Sequence, residues 1–247
     1  MIFTIAGKEL RSMFTSPLAW VVLAFVQLIL AWIFLFRIDY FISAQSQIAR
    51  VPNAPGLTEI AIVPMFGIAS IVLLMSVPLL TMRLVSEERR NQTMALLMAA
   101  PISMSEIILG KFLALIAFLS LINLLILLMA LSVLAGGTID FGLLIANLVG
   151  LMLLGASFAA IGLFISCLTN HPVVAAILSL GVFLGLWVMN IAASDTESVL
   201  NLISLLRHFE GFMNGSIAVT DLIYFSLLIT TFLILSIRRL DADRLRA

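Results

Sequence analysis

Long uncharged apolar runs dominate this chain. They cover residues 18–36, 60–82, 112–134, 141–168, 172–193 and 222–237. A helix needs about 20 mostly apolar residues to cross the hydrocarbon layer of a membrane. No Asp, Glu, Lys or Arg lies inside any run, and each central charge would cost about 2.5–3.5 kcal/mol on insertion scales. The pattern predicts an all-α polytopic membrane protein with six transmembrane helices.

The polar stretches between these runs are short. The longest, residues 39–59 and 194–221, cannot hold a separate hydrophobic core. The chain is 63% hydrophobic and 11% charged, with a mean hydropathy of +1.23. We therefore expect one transmembrane domain over residues 1–247. The formal net charge is zero, which leaves no basic surface for nucleic acid.

The placement of basic residues predicts the orientation of the spans. Six spans put both termini on the same side of the membrane. If that side is the cytoplasm, only Arg37, Arg50 and Arg207 lie outside. All the other basic residues then lie inside: Lys8, Arg11, Arg83, Arg89, Arg90, Lys111, Arg238, Arg239, Arg244 and Arg246. The positive-inside rule therefore selects N-in, C-in.

Residues 1–16 form a separate element in this pattern. Apolar residues recur there at helical spacing, while Thr4, Lys8, Arg11 and Thr15 follow the opposite stripe. This is typical of an amphipathic helix lying in the membrane interface. Pro17 disfavours helical backbone at Ser16, so we expect the chain to turn sharply there. A frayed leader with accidental periodicity is the alternative.

The connection over residues 83–111 carries the densest charge. Its cluster is Glu87, Glu88, Arg89 and Arg90, and an apolar stripe follows it at Met94, Leu97 and Met98. A short helix with one charged end and one apolar face would be a docking site for a soluble partner. A solvated loop that carries positive-inside charges explains the same residues, and the sequence leaves both open.

The sequence shows no motif for nucleotide binding, metal binding or thiol chemistry. A phosphate-binding loop needs G-x-x-x-x-G-K-[ST], and Gly110-Lys111-Phe112 lacks its upstream glycine and hydroxyl residue. Cys167 lies within an apolar run, and His171 and His208 have no companion ligands in the sequence. We therefore expect no catalytic, cofactor-binding or metal-binding residues in this chain. An ion-coupled carrier is disfavoured because the runs hold no ionisable group.

Two further patterns concern packing. Gly181 and Gly185 form a G-x-x-x-G pair in the fifth run, which allows close helix approach either within one protomer or across a homodimer seam. Between the fifth and sixth runs, residues 194–220 carry apolar side chains at helical spacing. We expect short helices in this segment on the outer side of the membrane.

The chain resembles the membrane subunits of ABC type-2 exporters. Their elbow helix reads roughly K-E followed by S-P, matched here by Lys8-Glu9 and Ser16-Pro17. Their first cytoplasmic loop is matched at Glu88, Thr93, Leu97, Pro101, Gly110 and Lys111. Gln92 stands where the family often has glycine, and Ala95 where it often has glutamate.

The last part of the chain narrows the resemblance. Residues 207–215, with Ile217, Asp221 and Tyr224, resemble the gliding-motility type of permease. This subgroup includes the permease linked to nitrous oxide reductase maturation. Its members often work with a second membrane subunit that has a large extracytoplasmic domain.

The resemblance implies a permease of the bacterial cytoplasmic (inner) membrane, paired with a second copy of itself or with a related permease. It implies that ATP and Mg are bound by a separate cytoplasmic ABC ATPase dimer, while membrane lipid surrounds the spans. It also implies that the elbow helix and the first loop press on the ATPases, and that segment 194–220 dips back toward the membrane. The residues expected to couple to the ATPase are Lys8, Glu9, Glu87, Glu88, Arg89, Arg90, Thr93, Met94, Leu97 and Met98.

Three functional classes follow. The leading one is a permease subunit that exports or extracts a substrate with ATP hydrolysed by another chain. The second is a non-transporting scaffold that passes ATP-driven motion to extracytoplasmic proteins. The third, an ion-coupled carrier or channel, would give flux in vesicles with no ATPase present.

Overall fold

The computed structural model describes residues 1–48, 56–94, 102–135, 137–192 and 204–245. In these ranges every regular element is helical. A π-helical turn, Thr58–Ile62, leads into α3, and a 3-10 turn, Val133–Ala135, ends α5. The helices are α1 (Ile2–Thr15), α2 (Pro17–Ile48), α3 (Val63–Thr81), α4 (Ser86–Arg90), α5 (Met104–Ser132), α6 (Phe141–Leu168), α7 (Pro172–Ala192), α8 (Leu205–Met213) and α9 (Val219–Arg244).

The prediction of a multi-pass, all-helical membrane protein is confirmed by helix length and composition. Five helical stretches are long and apolar enough to span a membrane: Pro17–Gln45, Thr58–Arg90, Met104–Ser132, Phe141–Leu168 and Val219–Arg244. The fifth apolar run forms α7, whose apolar stretch with described side chains, Pro172–Val188, is shorter. The count of six spans and the N-in, C-in orientation therefore stay predictions.

Several helices are longer than the apolar runs that predicted them. Helix α2 continues to Ile48, α5 begins at Met104, and α9 ends only at Arg244. Apolar residues mark the part of a helix that is suited to hydrocarbon, whereas a helix ends where capping or a breaker ends it. The charged ends of these helices are therefore helical rather than loops.

Local capping sets where α2, α5 and α6 begin. Ser16 has extended backbone, φ −85° and ψ 134°, before Pro17 opens α2. At α5, Ser103 Oγ accepts from the Glu106 N–H at 3.2 Å, and Glu106 Oε2 accepts from the Ser103 N–H at 3.1 Å. These reciprocal bonds form a capping box. Asp140 caps α6 in a similar way, with Oδ1 accepting from the Gly142 and Leu143 N–H groups.

Helix α6 is the centre of the bundle. Of its most apolar window 72% is buried, against 17% for α9, and it packs against α3, α5, α7, α8 and α9. Small residues make this possible: a Cβ added at Gly162 would lie 2.4 Å from Thr81 Oγ1 of α3. Close helix approach through small residues is typical of membrane bundles, where dispersion replaces a hydrophobic driving force.

Helix α8 lies at the opposite end of the bundle from α1 and is buried along one face. Leu205, Phe209 and Phe212 are its enclosed residues, and a Cβ at Gly150 of α6 would lie 2.6 Å from Phe212 Cβ. His208 Nδ1 lies 2.6 Å from Asp221 Oδ1, which joins α8 to the first turn of α9. Residues 193–203 of the expected outer segment lie outside the described ranges, and its return toward the membrane stays a prediction.

Candidate functional site

The site lies where α1 folds back on the start of α5. Helix α1 packs along α5, and the closest approach is at Gly110. A Cβ there would lie 2.7 Å from Ile5 Cγ2 and 3.1 Å from the Ile2 carbonyl oxygen. Glycine is therefore required for this approach, and it brings the next residue, Lys111, under the polar side of α1.

Lys111 is the centre of a buried ion cluster. Its side chain is 1% exposed, and Nζ lies 3.1 Å from Glu9 Oε1 of α1 and 2.8 Å from Glu88 Oε1 of α4. Lys8 Nζ also lies 3.2 Å from Glu9 Oε1, from the exposed side. A buried ammonium is tolerated only when it is paired and hydrogen-bonded. Lys111 therefore links three helices through one charge.

A second ion pair extends this cluster to the last helix. Arg89 of α4 donates to Asp243 near the end of α9, and Arg239 Nη2 lies 3.7 Å from the other oxygen of Asp243. Among the described residues, the buried atoms Glu88 Oε2, Arg89 Nε and Arg239 Nε have no hydrogen-bond partner. The charges are thus held by a few short contacts rather than by a saturated network.

Helix α4 is capped by a side chain from α6. Ser166 Oγ accepts from the backbone N–H groups of Val85 and Ser86, each at 3.2 Å. Free N–H groups at a helix start are normally satisfied by a cap just before the helix. Here the central helix of the bundle supplies the acceptor, so α4 is fixed to α6 at its first residue.

The turn before α4 is also tied to the α1–α2 corner. Arg83 Nη1 donates to Ser16 Oγ at 3.2 Å, and Arg83 Nε lies 3.9 Å from Glu87 Oε2. Both side chains of this ion pair are nearly half exposed. Exposed pairs of this kind contribute about 0–1 kcal/mol, so this contact orients Arg83 more than it stabilises the fold.

Most of the predicted coupling residues lie together at this end. Lys8, Glu9, Glu88 and Arg89 belong to the ion cluster. Thr93 Oγ1 donates to the Glu88 carbonyl oxygen at 3.2 Å, and Met94 is buried. Glu87 is half exposed and Arg90 is exposed. Leu97 and Met98 lie outside the described ranges.

The sequence does not predict three contacts of this site. The sequence places Lys111 among the inside charges and at a motif position, but it does not predict the burial of Lys111 beneath α1. Asp243 and Ser166 gave no signal at all, since each meets α4 from a distant part of the chain. A lone lysine at the edge of an apolar run, one residue after a glycine, was the usable sign for Lys111.

Gln92 occupies an unusual backbone conformation directly after α4. Its φ is +58°, in the left-handed region, which glycine adopts without the steric penalty of a Cβ atom. This is the position at which the exporter pattern often has glycine. The departure at Gln92 therefore keeps the turn geometry and accepts backbone strain there.

The two predicted packing glycines lie on an outward face. Gly181 and Gly185 of α7 are exposed, and no described atom lies within 4 Å of a Cβ built at either. Apolar side chains such as Ile177 and Val188 are exposed on the same helix. Within the described residues, these glycines do not serve packing inside the protomer.

Cys167 and His208 lie among packed side chains. In the described ranges no group of three or more His, Cys, Asp or Glu side chains is placed to hold a metal ion. Cys167 is a free, buried thiol. His208 stacks on Tyr224 with ring centroids 4.0 Å apart and contacts Asp221, so its visible contacts join α8 to α9.

Comparison with family models decides the class of the protein. Residues 3–244 match the model described as ABC-2 family transporter protein. The chain belongs to the ABC-2 transporter family. Membership identifies it as a transmembrane permease, the membrane subunit rather than the catalytic part of an ABC transporter, and ABC-2 permeases typically work with an ABC ATPase. No curated protein matches the chain significantly.

Proposed function

We propose that this ABC-2 permease exports or extracts its substrate with energy from ATP hydrolysed on a separate cytoplasmic ATPase dimer. The observation that carries the proposal is Lys111, which holds Glu9 of α1 and Glu88 of α4 in one buried cluster. A segment that receives force from a soluble partner must be rigidly connected to the spans. The contacts of α4 provide that connection.

The proposed orientation places this cluster on the cytoplasmic side of a bacterial inner membrane. Six spans, with α7 as the fifth, give N-in and C-in termini, as the distribution of basic residues favours. Helix α1 is then the elbow helix, which meets α5 through Ile5 and Glu9. The outer segment with α8 faces away from the ATPases.

Motion of α4 would reach the bundle by three routes. Glu88 moves with Lys111 of α5, Arg89 moves with Asp243 of α9, and the α4 amides move with Ser166 of α6. Interactions between enclosed charges are far stronger than in water, because solvent screens them little. A displacement of α4 therefore shifts α5, α6 and α9 together, which changes the packing of the bundle.

The docking surface is the exposed side of this segment. Within the described residues, Glu87 and Arg90 form no ion pair with Lys111 or Asp243, and both are accessible to a partner. The stripe completed by Leu97 and Met98 is the predicted apolar part of the same surface. Exposed charges on both sides of such a contact set partner choice and association rate.

Charge reversal tests the docking surface without breaking the cluster. The double variant Glu87→Lys with Arg90→Glu should sharply reduce co-purification of an ABC ATPase from host membranes, measured by quantitative mass spectrometry. The matched control is Arg207→Glu with Glu210→Lys, which reverses two exposed charges on α8 at the other end of the bundle. Equal ATPase recovery from both double variants would refute docking on this segment.

The proposed assembly contains a second copy of this chain or a related permease. The face of α7 with Gly181 and Gly185 supports this, because it is apolar and open in the described protomer. Gly181→Ile should lower the dimer fraction in chemical crosslinking of membranes, whereas Gly7→Ile, which is equally open but on α1, should not. An unchanged dimer fraction would remove α7 from the seam.

The resemblance of residues 207–225 to gliding-motility permeases supports an additional partner, a subunit with a large extracytoplasmic domain. Helix α8 would be its contact, since it is anchored on α6 and α9 at the outer end of the bundle. Co-purification of such a subunit, and its loss in Arg207→Glu with Glu210→Lys, would support this contact. Undiminished recovery from that variant would contradict it.

A further inference from the structure

A cleft of about 700 Å³ opens between α1, the start of α2, the end of α3 and α4. Its volume lies within the range of about 300–1,000 Å³ that is typical of small-molecule sites. One wall is apolar and includes Leu18, Ala19 and Leu80 from the ends of the first two spans. Charged side chains of α1 and α4 also line the cleft.

The charges around this cleft balance. Lys8 and Arg83 line it together with Glu9, Glu87 and Glu88. Buried Lys111 does not line the cleft, but it binds Glu9 and Glu88 from behind. With its charge included, three cations balance three carboxylates. A purely anionic ligand would meet as many carboxylates as cations. A ligand with one positive and one negative group finds partners for both.

The hydrogen-bonding groups indicate which zwitterion fits. Arg83 and Lys8 are both exposed enough to bind a phosphate, and guanidinium groups suit phosphate especially well. Glu87 and Asn91 offer acceptors for a primary ammonium group, which has three donors. Quaternary ammonium groups are instead recognised by aromatic cages, and no aromatic residue is among the described residues that line this cleft.

We propose that this cleft binds one phosphatidylethanolamine molecule of the cytoplasmic leaflet. The phosphate lies between Arg83 and Lys8, the ethanolamine ammonium lies at Glu87, and the acyl chains leave along Leu18 and Leu80 into the bilayer. The assignment rests on the proposed placement of α1 and α4 at the cytoplasmic interface. A lipid here contacts both α1 and α4, so it stabilises their relative position.

Lipid retention by the full chain tests this directly. The chain is purified in detergent, mixed with equal amounts of palmitoyl-oleoyl phosphatidylethanolamine, phosphatidylglycerol and phosphatidylcholine, and analysed by native mass spectrometry. Phosphatidylethanolamine should be retained about tenfold over the other two lipids, the ratio expected for one hydrogen bond to a charged group. Retention of all three lipids in equal amounts, or preference for phosphatidylglycerol, would overturn the proposal.

Three variants test whether the lipid binds in this cleft. Arg83→Gln and Glu87→Gln should each reduce phosphatidylethanolamine retention by about tenfold. Ser12→Trp, at an exposed residue that lines the cleft, should exclude the lipid without removing a charge. Arg90→Gln, outside the cleft, should retain lipid normally. Normal retention by all three cleft variants would overturn the assignment, and circular dichroism and gel filtration identify any variant that fails to fold.

A soluble headgroup separates a lipid site from a phosphate-binding site. Phosphoethanolamine in solution should not displace the bound lipid, because it cannot use the apolar wall. Full displacement at equal concentration would show that the cleft takes a soluble ligand, against the proposal. These measurements need no ATPase, and Arg83→Gln and Ser12→Trp leave both docking charges, Glu87 and Arg90, in place. The lipid proposal can therefore fail while ATPase docking on Glu87 and Arg90 holds, and the reverse.

Discussion

The ammonium of Lys111 lies 2.8 Å from the Glu88 carboxylate although the two residues belong to different helices, and Lys111 is almost fully enclosed. The contact joins a short segment that follows the second span to the helix of the third. Because Glu9 shares the same ammonium, the N-terminal helix is included. The geometry makes one lysine the common anchor of three elements.

Removing Lys111 should destabilise the protomer strongly. Lys111→Met takes the enclosed cation from Glu88 and leaves Glu9 with only the exposed Lys8. Breaking a buried ion pair in this way costs about 3–5 kcal/mol. Thermal unfolding in detergent, followed by tryptophan fluorescence, should show a large fall in Tm. Lys8→Met, which removes an exposed partner of Glu9, should change Tm little.

The triple variant Lys111→Met, Glu9→Gln, Glu88→Gln separates the effect of unpaired charge from that of altered packing. It removes the unpaired charges, so much of the lost Tm should return. If Tm stays as low as in Lys111→Met alone, the destabilisation comes from altered packing rather than from charge. If Lys111→Met leaves Tm unchanged, the cluster does not hold these helices together.

Asp243 should matter for coupling more than for assembly. Asp243→Asn weakens the contacts with Arg89 and Arg239, so force from α4 no longer reaches α9 efficiently. We expect the stimulation of ATP hydrolysis by the permease to fall by about tenfold, the effect of losing one charge-assisted hydrogen bond. ATPase co-purification should be retained.

Asp241→Asn is the matched control for this prediction, since Asp241 is exposed on the same helix. ATP hydrolysis by complexes of both variants is compared with that of the isolated ATPase. Equal stimulation by the two variants would exclude α9 from the coupling route.

Gln92→Gly should stabilise the turn after α4. Left-handed backbone costs a residue with a side chain about 1–2 kcal/mol, and glycine recovers part of this at the expense of greater freedom in the unfolded chain. The net gain should be about 0.5–1 kcal/mol, seen as a small rise in Tm. Asn91→Gly, where φ is an ordinary −84°, should lower Tm, and a fall in both variants would contradict the assignment of strain to Gln92.

Gly162→Ala should loosen the centre of the bundle. The added methyl would lie 2.4 Å from Thr81 Oγ1, so α3 or α6 must shift, at a cost of about 1–3 kcal/mol. The same change at Gly185, which faces open space, should leave Tm of the detergent-solubilised protomer equal or higher. Similar Tm values for Gly162→Ala and the wild-type chain would argue against tight α3–α6 packing.

The apolar runs were sufficient to predict an all-helical chain with five stretches long and apolar enough to span a membrane, because burial in lipid is a property of each segment alone. The sixth span stays a prediction. They did not predict where the helices end. Helix α2 continues past Arg37 and Asp39, because these residues do not break a helix. Helix α5 begins before its apolar run because Ser103 and Glu106 cap it.

The site was predictable only where its residues are neighbours in sequence. Glu88 and Arg89 belong to a charge cluster that is visible in the sequence. Lys8 and Glu9 match the exporter pattern. Asp243 lies 154 positions from Arg89, and Ser166 lies 80 positions from Ser86. No periodicity or motif connects residues so far apart, so these contacts depend on how the helices pack.

Ser166 has a consequence for protein engineering. The first amides of α4 donate hydrogen bonds to Ser166 on the central helix of the bundle. Residues 83–94 are therefore not a self-contained module. A chimera that receives this segment from another permease would need a hydroxyl side chain at the place of Ser166. Without it, the transplanted helix would start with unsatisfied donors and would fray at the end meant to transmit force.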